Sequence, residues 1–154
     1  MPDFTWRIEG LADLQRQLED ELPKVAKRVV RDAVNEGAEM MLDSMHREAP
    51  RNTKGDLAAP PGFLGDHLDK DVRVSRNDLA ATARVGAKAN AHYPSRRGGK
   101  GRVSVASVAR FLEFGTSKMS ANPFMTRSFD SIIKRLADLV AEKIQEGLAK
   151  VRGK

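Results

Sequence analysis

Few side chains in this sequence are placed to do chemistry. The three histidines, His46, His67 and His92, are far apart, and none sits in a His-Glu-x-x-His spacing that would put two imidazoles on one metal. The densest group of possible ligands is Asp66-His67-x-Asp69-x-Asp71. The adjacent Asp66 and His67 would point to opposite faces of an extended segment, and the group reads as solvated polar residues leading into a strand, so no metal site is assigned. Gly98-Gly99-Lys100-Gly101 has the glycines and lysine of a phosphate-cradling loop. Such a loop needs Ser or Thr directly after the lysine and a strand before the glycines, whereas here Gly101 follows and Pro94 precedes. There is no Gly-x-Ser-x-Gly elbow. With no cysteine at all, thiolate catalysis, disulfides, thiolate-bound zinc and iron–sulfur clusters are excluded. The residues point to no enzyme and no cofactor.

Charge is the stronger signal. The 154 residues carry 27 Lys+Arg against 21 Asp+Glu, a formal net charge of +6. Residues 71–110 hold Arg73, Arg76, Arg84, Lys88, Arg96, Arg97, Lys100, Arg102 and Arg110 against only Asp71 and Asp78, so the rest of the chain is close to neutral. Arg96, Arg97, Lys100 and Arg102 lie on a glycine-rich stretch, a flexible basic loop at about 94–104. Such a loop can follow a nucleic-acid backbone or dock on an acidic protein surface. Tyr93 is the only aromatic among these charges, and stacking platforms are otherwise missing.

The elements that hold these residues follow from hydrophobic period. Phe4, Trp6 and Ile8 alternate with polar residues, a strand over 3–9. Leu11, Leu14, Leu18 and Leu22 recur at helical spacing, predicting a helix over 11–21. Val25, Val29, Val30, Ala33, Val34, Ala38, Met41 and Met45 mark a longer one over 23–48, begun at Pro23 and stopped before Pro50. Residues 50–68, rich in Pro and Gly, read as a loop. Alternation around Val72 and Val74, then Ala81, Ala83 and Val85, predicts an antiparallel hairpin of strands 70–76 and 80–87. Val105 to Leu112 suggest a short helix stopping at Gly115. Asn122-Pro123 then opens a helix over 123–150, with Asn122 as N-cap and an apolar stripe from Met125 to Val151. That stripe reads as core packing, although a coiled-coil seam or a membrane-surface helix has the same spacing, and its last turns extend far enough to meet another subunit. The fold class is α+β, a small antiparallel sheet covered by helices, in one domain spanning 1–154. No apolar run approaches the ~18 residues needed to cross a bilayer. The first residues lack a signal peptide's basic and apolar regions, so an intracellular product is expected.

One segment carries a family likeness. Phe111-Leu112-Glu113-Phe114-Gly115-Thr116-Ser117-Lys118-Met119-Ser120-Ala121-Asn122-Pro123-Phe124 resembles the Val-Glu-Phe-Gly-Thr-x-Lys-Met-x-Ala-x-Pro-Phe segment of the tail-component family of tailed bacteriophages. Ile8-Glu9-Gly10-Leu11-Ala12-Asp13-Leu14 and Ala49-Pro50-Arg51-Asn52-Thr53-Lys54-Gly55-Asp56-Leu57 resemble that family's opening and its Ala-Pro-Val-Asp-Thr-Gly-x-Leu segment, in the same order. Lys54 interrupts the Thr-Gly pair, and the stretch 94–102 is longer than the family's.

The resemblance implies a non-enzymatic virion component at the head–tail junction, a neck or tail-completion protein made in the host bacterial cytoplasm. It implies a ring of identical copies, six-fold in preference to twelve-fold. Its partners would be neighbouring neck, tail-terminator or tail-tube proteins, with packaged double-stranded DNA close by and no membrane. The other reading is a nucleic-acid-binding accessory protein using residues 73–102. Contact residues are expected at Arg96, Arg97, Lys100, Arg102, Lys118 and Met119. Phe111, Phe114 and Phe124 bracket the turn and are expected to pin it to the core, Gly115 supplies the backbone freedom that ends a helix, and Glu113 and Pro123 belong to the same structural motif.

Overall fold

The hydrophobic periods recur as elements. A computed structural model describes residues 4–6, 23–51, 59–75, 80–94 and 102–152. In order they form β1 (Phe4–Trp6), α1 (Pro23–Glu48), α2 (Phe63–Asp66), β2 (Leu68–Val74), β3 (Ala81–Ala87), α3 (Val105–Phe114) and α4 (Phe124–Arg152). This is an α+β fold, mostly helical, with a long C-terminal helix. The helix expected over 11–21 lies outside the described residues, as does most of the basic loop.

The three strands form one sheet in the order β1-β3-β2. Ser75 N–H donates to the Ala80 carbonyl at one end of the hairpin, and Lys88 N–H to the His67 carbonyl at the other. This antiparallel register sets Val72 opposite Ala83 and turns the backbone groups of the odd-numbered β2 residues toward β3. Along β2, Leu68, Lys70, Val72 and Val74 are the covered positions, while Asp69, Asp71 and Arg73 are exposed.

Besides shifts of a residue or two in the second hairpin strand and the last helix, two places depart from expectation. The first hairpin strand starts at Leu68 and ends at Val74, not at 70 and 76, because Leu68 is itself buried and the hairpin closes at Ser75. The expected loop of 50–68 contains α2, entered through Gly62 at φ 87°, a left-handed conformation open to glycine. The proline and glycine content marked this stretch as irregular, and a four-residue helix is too short to show a period.

The chain divides into two compact units: one of Met1–Phe4, Met41–Asp69 and Val85–Ile132, the other of Thr5–Met40, Lys70–Arg84 and Ile133–Lys154. In the first, Met41, Met45, Leu64, Val105, Ala109, Phe124 and Met125 are buried. Ser44 Oγ donates to the Ser128 carbonyl at 3.3 Å, and Ser128 Oγ to the Phe124 carbonyl at 2.6 Å, so the buried hydroxyls are satisfied, as burial demands. The second buries Ala26, Val30, Ala33, Val34, Leu136, Val140 and Ile144. There α1 and α4 approach so closely that a Cβ on Gly147 would lie 2.3 Å from Val29 Cγ1. Lys143 pairs with Glu36 at 3.4 Å and with Glu146 at 3.5 Å beside that contact. Among the described residues no helix is long and apolar enough to cross a membrane.

Candidate interaction surface

The motif around Gly115 is built from the end of α3 outward. Ser104 caps α3, its Oγ accepting from Ser107 N–H at 3.1 Å. Gly115 ends the helix at φ 74°, and its N–H donates to the Phe111 carbonyl at 2.8 Å. A Cβ here would sit 2.8 Å from the Met119 carbonyl oxygen and 2.9 Å from Ala121 N, so both dihedral and space require glycine. Thr116 N–H then donates to the Met119 carbonyl, Met119 N–H donates back, and Lys118 N–H donates to Thr116 Oγ1 at 3.2 Å. Ser117 and Lys118 form the exposed tip of this turn.

Glu113 organises the start of α4. Arg127 N–H donates to the Pro123 carbonyl, the first bond of that helix, which makes Pro123 the residue just before it. Helix starts leave amides without intrahelical partners, and a proline side chain cannot accept from them. Glu113, only 4% exposed, supplies the acceptors: Met125 N–H donates to Oε2 and Thr126 N–H to Oε1, each at 3.0 Å, and Thr126 Oγ1 donates to Oε1 as well. The carboxylate also lies at the positive end of the helix dipole. Asn122, expected to be the cap, instead accepts from Arg127 Nη2 at 2.8 Å through its Oδ1. Arg127 also pairs with Glu48 in the last turn of α1, at 3.5 Å.

The phenylalanines divide differently from expectation. Phe124 is fully buried, but Phe111 is 46% and Phe114 67% exposed, and Met119 is 40% exposed. Phe111 and Phe114, three apart on a helix, share a face. The turn is therefore held by Glu113, Gly115 and Phe124, while Phe111, Phe114, Lys118 and Met119 are presented to solvent. Aromatic type alone ranked Phe111 and Phe114 with the core. The missed cue is the glutamate between them, whose burial leaves its neighbours facing out.

The expected basic site is only partly in view. Arg96, Arg97 and Lys100 lie outside the described residues, and Arg102 is exposed at their edge. Of the nearby charges, Arg73 pairs with Asp71 at 2.7 Å and Lys88 with Asp69 at 4.0 Å. Surface pairs of this kind contribute at most about 1 kcal/mol, but they neutralise part of the segment's excess. His67 is engaged with Phe63, its Nδ1 2.8 Å from the Phe63 carbonyl and its ring stacked at 4.0 Å.

A rigid turn that presents two aromatic side chains, a methionine and a lysine is suited to holding another protein. Residues 12–115, about two thirds of the chain, match a family model described as "Bacteriophage HK97-gp10, putative tail-component". The chain belongs to that family. Neither a curated protein nor a solved structure matches it. The matched stretch reaches α1, the hairpin, α3 and Gly115, and α4 lies beyond it. Membership makes this a structural phage protein, a tail component that resides in the virion and works against other tail or neck proteins.

Proposed function

We propose that this chain acts at the head–tail junction as a neck or tail-completion component, without an enzymatic step, and that its 154 residues form one joining domain that assembles into a ring. The observation that carries the reading is the exposure of Phe111, Phe114 and Met119 on a turn whose backbone is fixed by Glu113 and Gly115. Large apolar side chains held rigidly in water mark contact surfaces. A ring needs a heterologous contact that closes, and six-fold order suits a tail end. In such a ring Arg96, Arg97, Lys100 and Arg102 face packaged double-stranded DNA or an acidic neighbour.

Native mass spectrometry of the full chain, alone and with a neighbouring neck or tail protein, tests this. A closed ring or a mixed ring is the expected result, and Phe111→Ser with Phe114→Ser reduces it to monomer. A persistent monomer that binds DNA tightly at physiological salt overturns it in favour of nucleic-acid binding.

A further inference from the structure

We propose that the turn between α3 and α4 seats a short acidic segment of a neighbouring tail or neck protein, its bulky apolar side chain lying against Phe111 and Phe114 and its carboxylates meeting Arg110 and Lys118. The inference rests on the reading of this turn as a contact surface and adds the chemistry of what it holds.

Spacing and exposure put the four residues together. On α3, Arg110 stands four positions before Phe114 and Phe111 three before it, so the three share one helix face, and all of them are exposed. Gly115 N–H closes on the Phe111 carbonyl at 2.8 Å, and the paired backbones of Thr116 and Met119 bring the chain back beside Gly115. Lys118 stands at the exposed tip of that turn, its N–H held by Thr116 Oγ1 at 3.2 Å. The surface is ordered before anything binds, which spares an occupant the cost of arranging it.

Its charge has one sign. From Arg102 to Pro123 the chain carries Arg102, Arg110 and Lys118 against a single acid, Glu113. That acid is buried, and its two oxygens are taken by the Met125 and Thr126 amides. Glu48, which α1 brings to the start of α4, is paired with Arg127 at 3.5 Å. Among the described residues neither Arg110 nor Lys118 is in an ion pair, so an acidic occupant supplies the partners that the chain does not.

Size decides the form of the occupant. The two exposed rings leave on the order of 200 Å² in water. A whole-domain interface takes about 800 Å² per partner, so the apolar contact is an anchor for a segment. Duplex DNA offers the rings nothing, because its bases are already stacked on one another. A single strand would need a cationic groove that follows several phosphates, whereas this face carries two cations beside its rings.

The test uses the full chain at physiological salt, with fluorescein-labelled Glu-Asp-Leu-Asp-Phe-Glu-Asp followed by anisotropy. Lys-Lys-Leu-Lys-Phe-Lys-Lys reverses the charge of the probe, and Glu-Asp-Ser-Asp-Ser-Glu-Asp removes its apolar anchors. Arg110→Glu with Lys118→Glu, and Phe111→Ser with Phe114→Ser, alter only exposed side chains, and urea midpoints check that each variant is folded. The acidic apolar peptide is expected to bind, about tenfold or more weakly to either variant, and both control peptides are expected to be as weak. Failure of that peptide to bind overturns the proposal. So does equal binding of the lysine peptide, binding unchanged by the Arg110 and Lys118 reversal, or a single-stranded oligonucleotide that binds where the peptide does not. Native mass spectrometry of the same variants keeps the two readings apart. Assembly lost with the phenylalanines but kept with the reversed charges leaves the contact surface standing and overturns only its acidic occupant, whereas assembly kept in both variants overturns both. A ring of the chain alone that breaks with the phenylalanines and ignores excess acidic peptide gives the turn to a second copy, which also overturns the proposal.

Discussion

Met125 donates its backbone N–H to Glu113 Oε2 at 3.0 Å, so a carboxylate at the end of one helix caps the first turn of the next across the tight connection that Gly115 begins. Replacing it exposes how much of the turn depends on this bond. Glu113→Ala leaves the Met125 and Thr126 amides without acceptors and costs about 1–3 kcal/mol. Glu113→Gln keeps one acceptor oxygen and loses less. The midpoint of urea unfolding measures both, and an Ala variant as stable as the parent would remove Glu113 from this role.

Gly115 answers to backbone geometry. Gly115→Ala meets the strain of a positive φ with an extended ψ, a backbone region essentially confined to glycine, of about 1–3 kcal/mol, together with the approach of the Met119 carbonyl at 2.8 Å. Gly65→Ala is its control, because a Cβ there finds only ordinary contacts, at 3.6 Å to His46 and 3.9 Å to Ala49. Thermal melts should show a clear loss in the first variant and little change in the second.

The motif's phenylalanines separate stability from contact. Phe124→Ala removes a fully buried ring and costs about 3–5 kcal/mol. Phe114→Ser, at a mostly exposed position, stays within about 0.5 kcal/mol of the parent while weakening assembly. Comparing urea midpoints with native masses of the same two variants checks the division.

The α1–α4 crossing in the second unit rests on a missing side chain. Gly147→Ala drives a methyl into Val29 and, by overpacking, costs about 1–3 kcal/mol. Val29→Ala frees the space, so the double variant recovers part of the loss. A double-mutant cycle in urea gives the coupling, and additive effects would mean that the two residues do not meet.

Glu39 sets an acid-side dependence. Its pKa lies below the ordinary value of 4.5, first because of the hydrogen bond from Lys70 and then because of that residue's charge. A carboxyl lowered by folding contributes stability above its unfolded value and loses it as pH falls through the lower folded value. Both partners are partly exposed, so the contribution is below about 1 kcal/mol. Glu39→Gln should flatten the stability profile below pH 4.5, measured by urea midpoints, and leave neutral-pH stability nearly unchanged.

The ends of α1 were legible because Pro23 can start a helix and Pro50 prevents its continuation, and α1 runs Pro23–Glu48. The hairpin was legible from alternation, and the family from the segment around Glu113-Phe114-Gly115. Local signals of this kind depend only on near neighbours in the chain. Which residue capped α4 was not local: the sequence offered Asn122 beside the helix, and the fold used Glu113, which a left-handed glycine and a tight turn carry back to the helix start. For the same reason aromatic type alone could not divide Phe124, which is buried, from Phe111 and Phe114, which face solvent. The sequence by itself determined the longer elements among the described residues, α1, the hairpin, α3 and α4, with their order and the family, because period, proline and glycine act within a few residues. The tertiary structure alone decided which side chains are capped, covered or presented, because burial and hydrogen-bond partners are properties of contacts between distant parts of the chain.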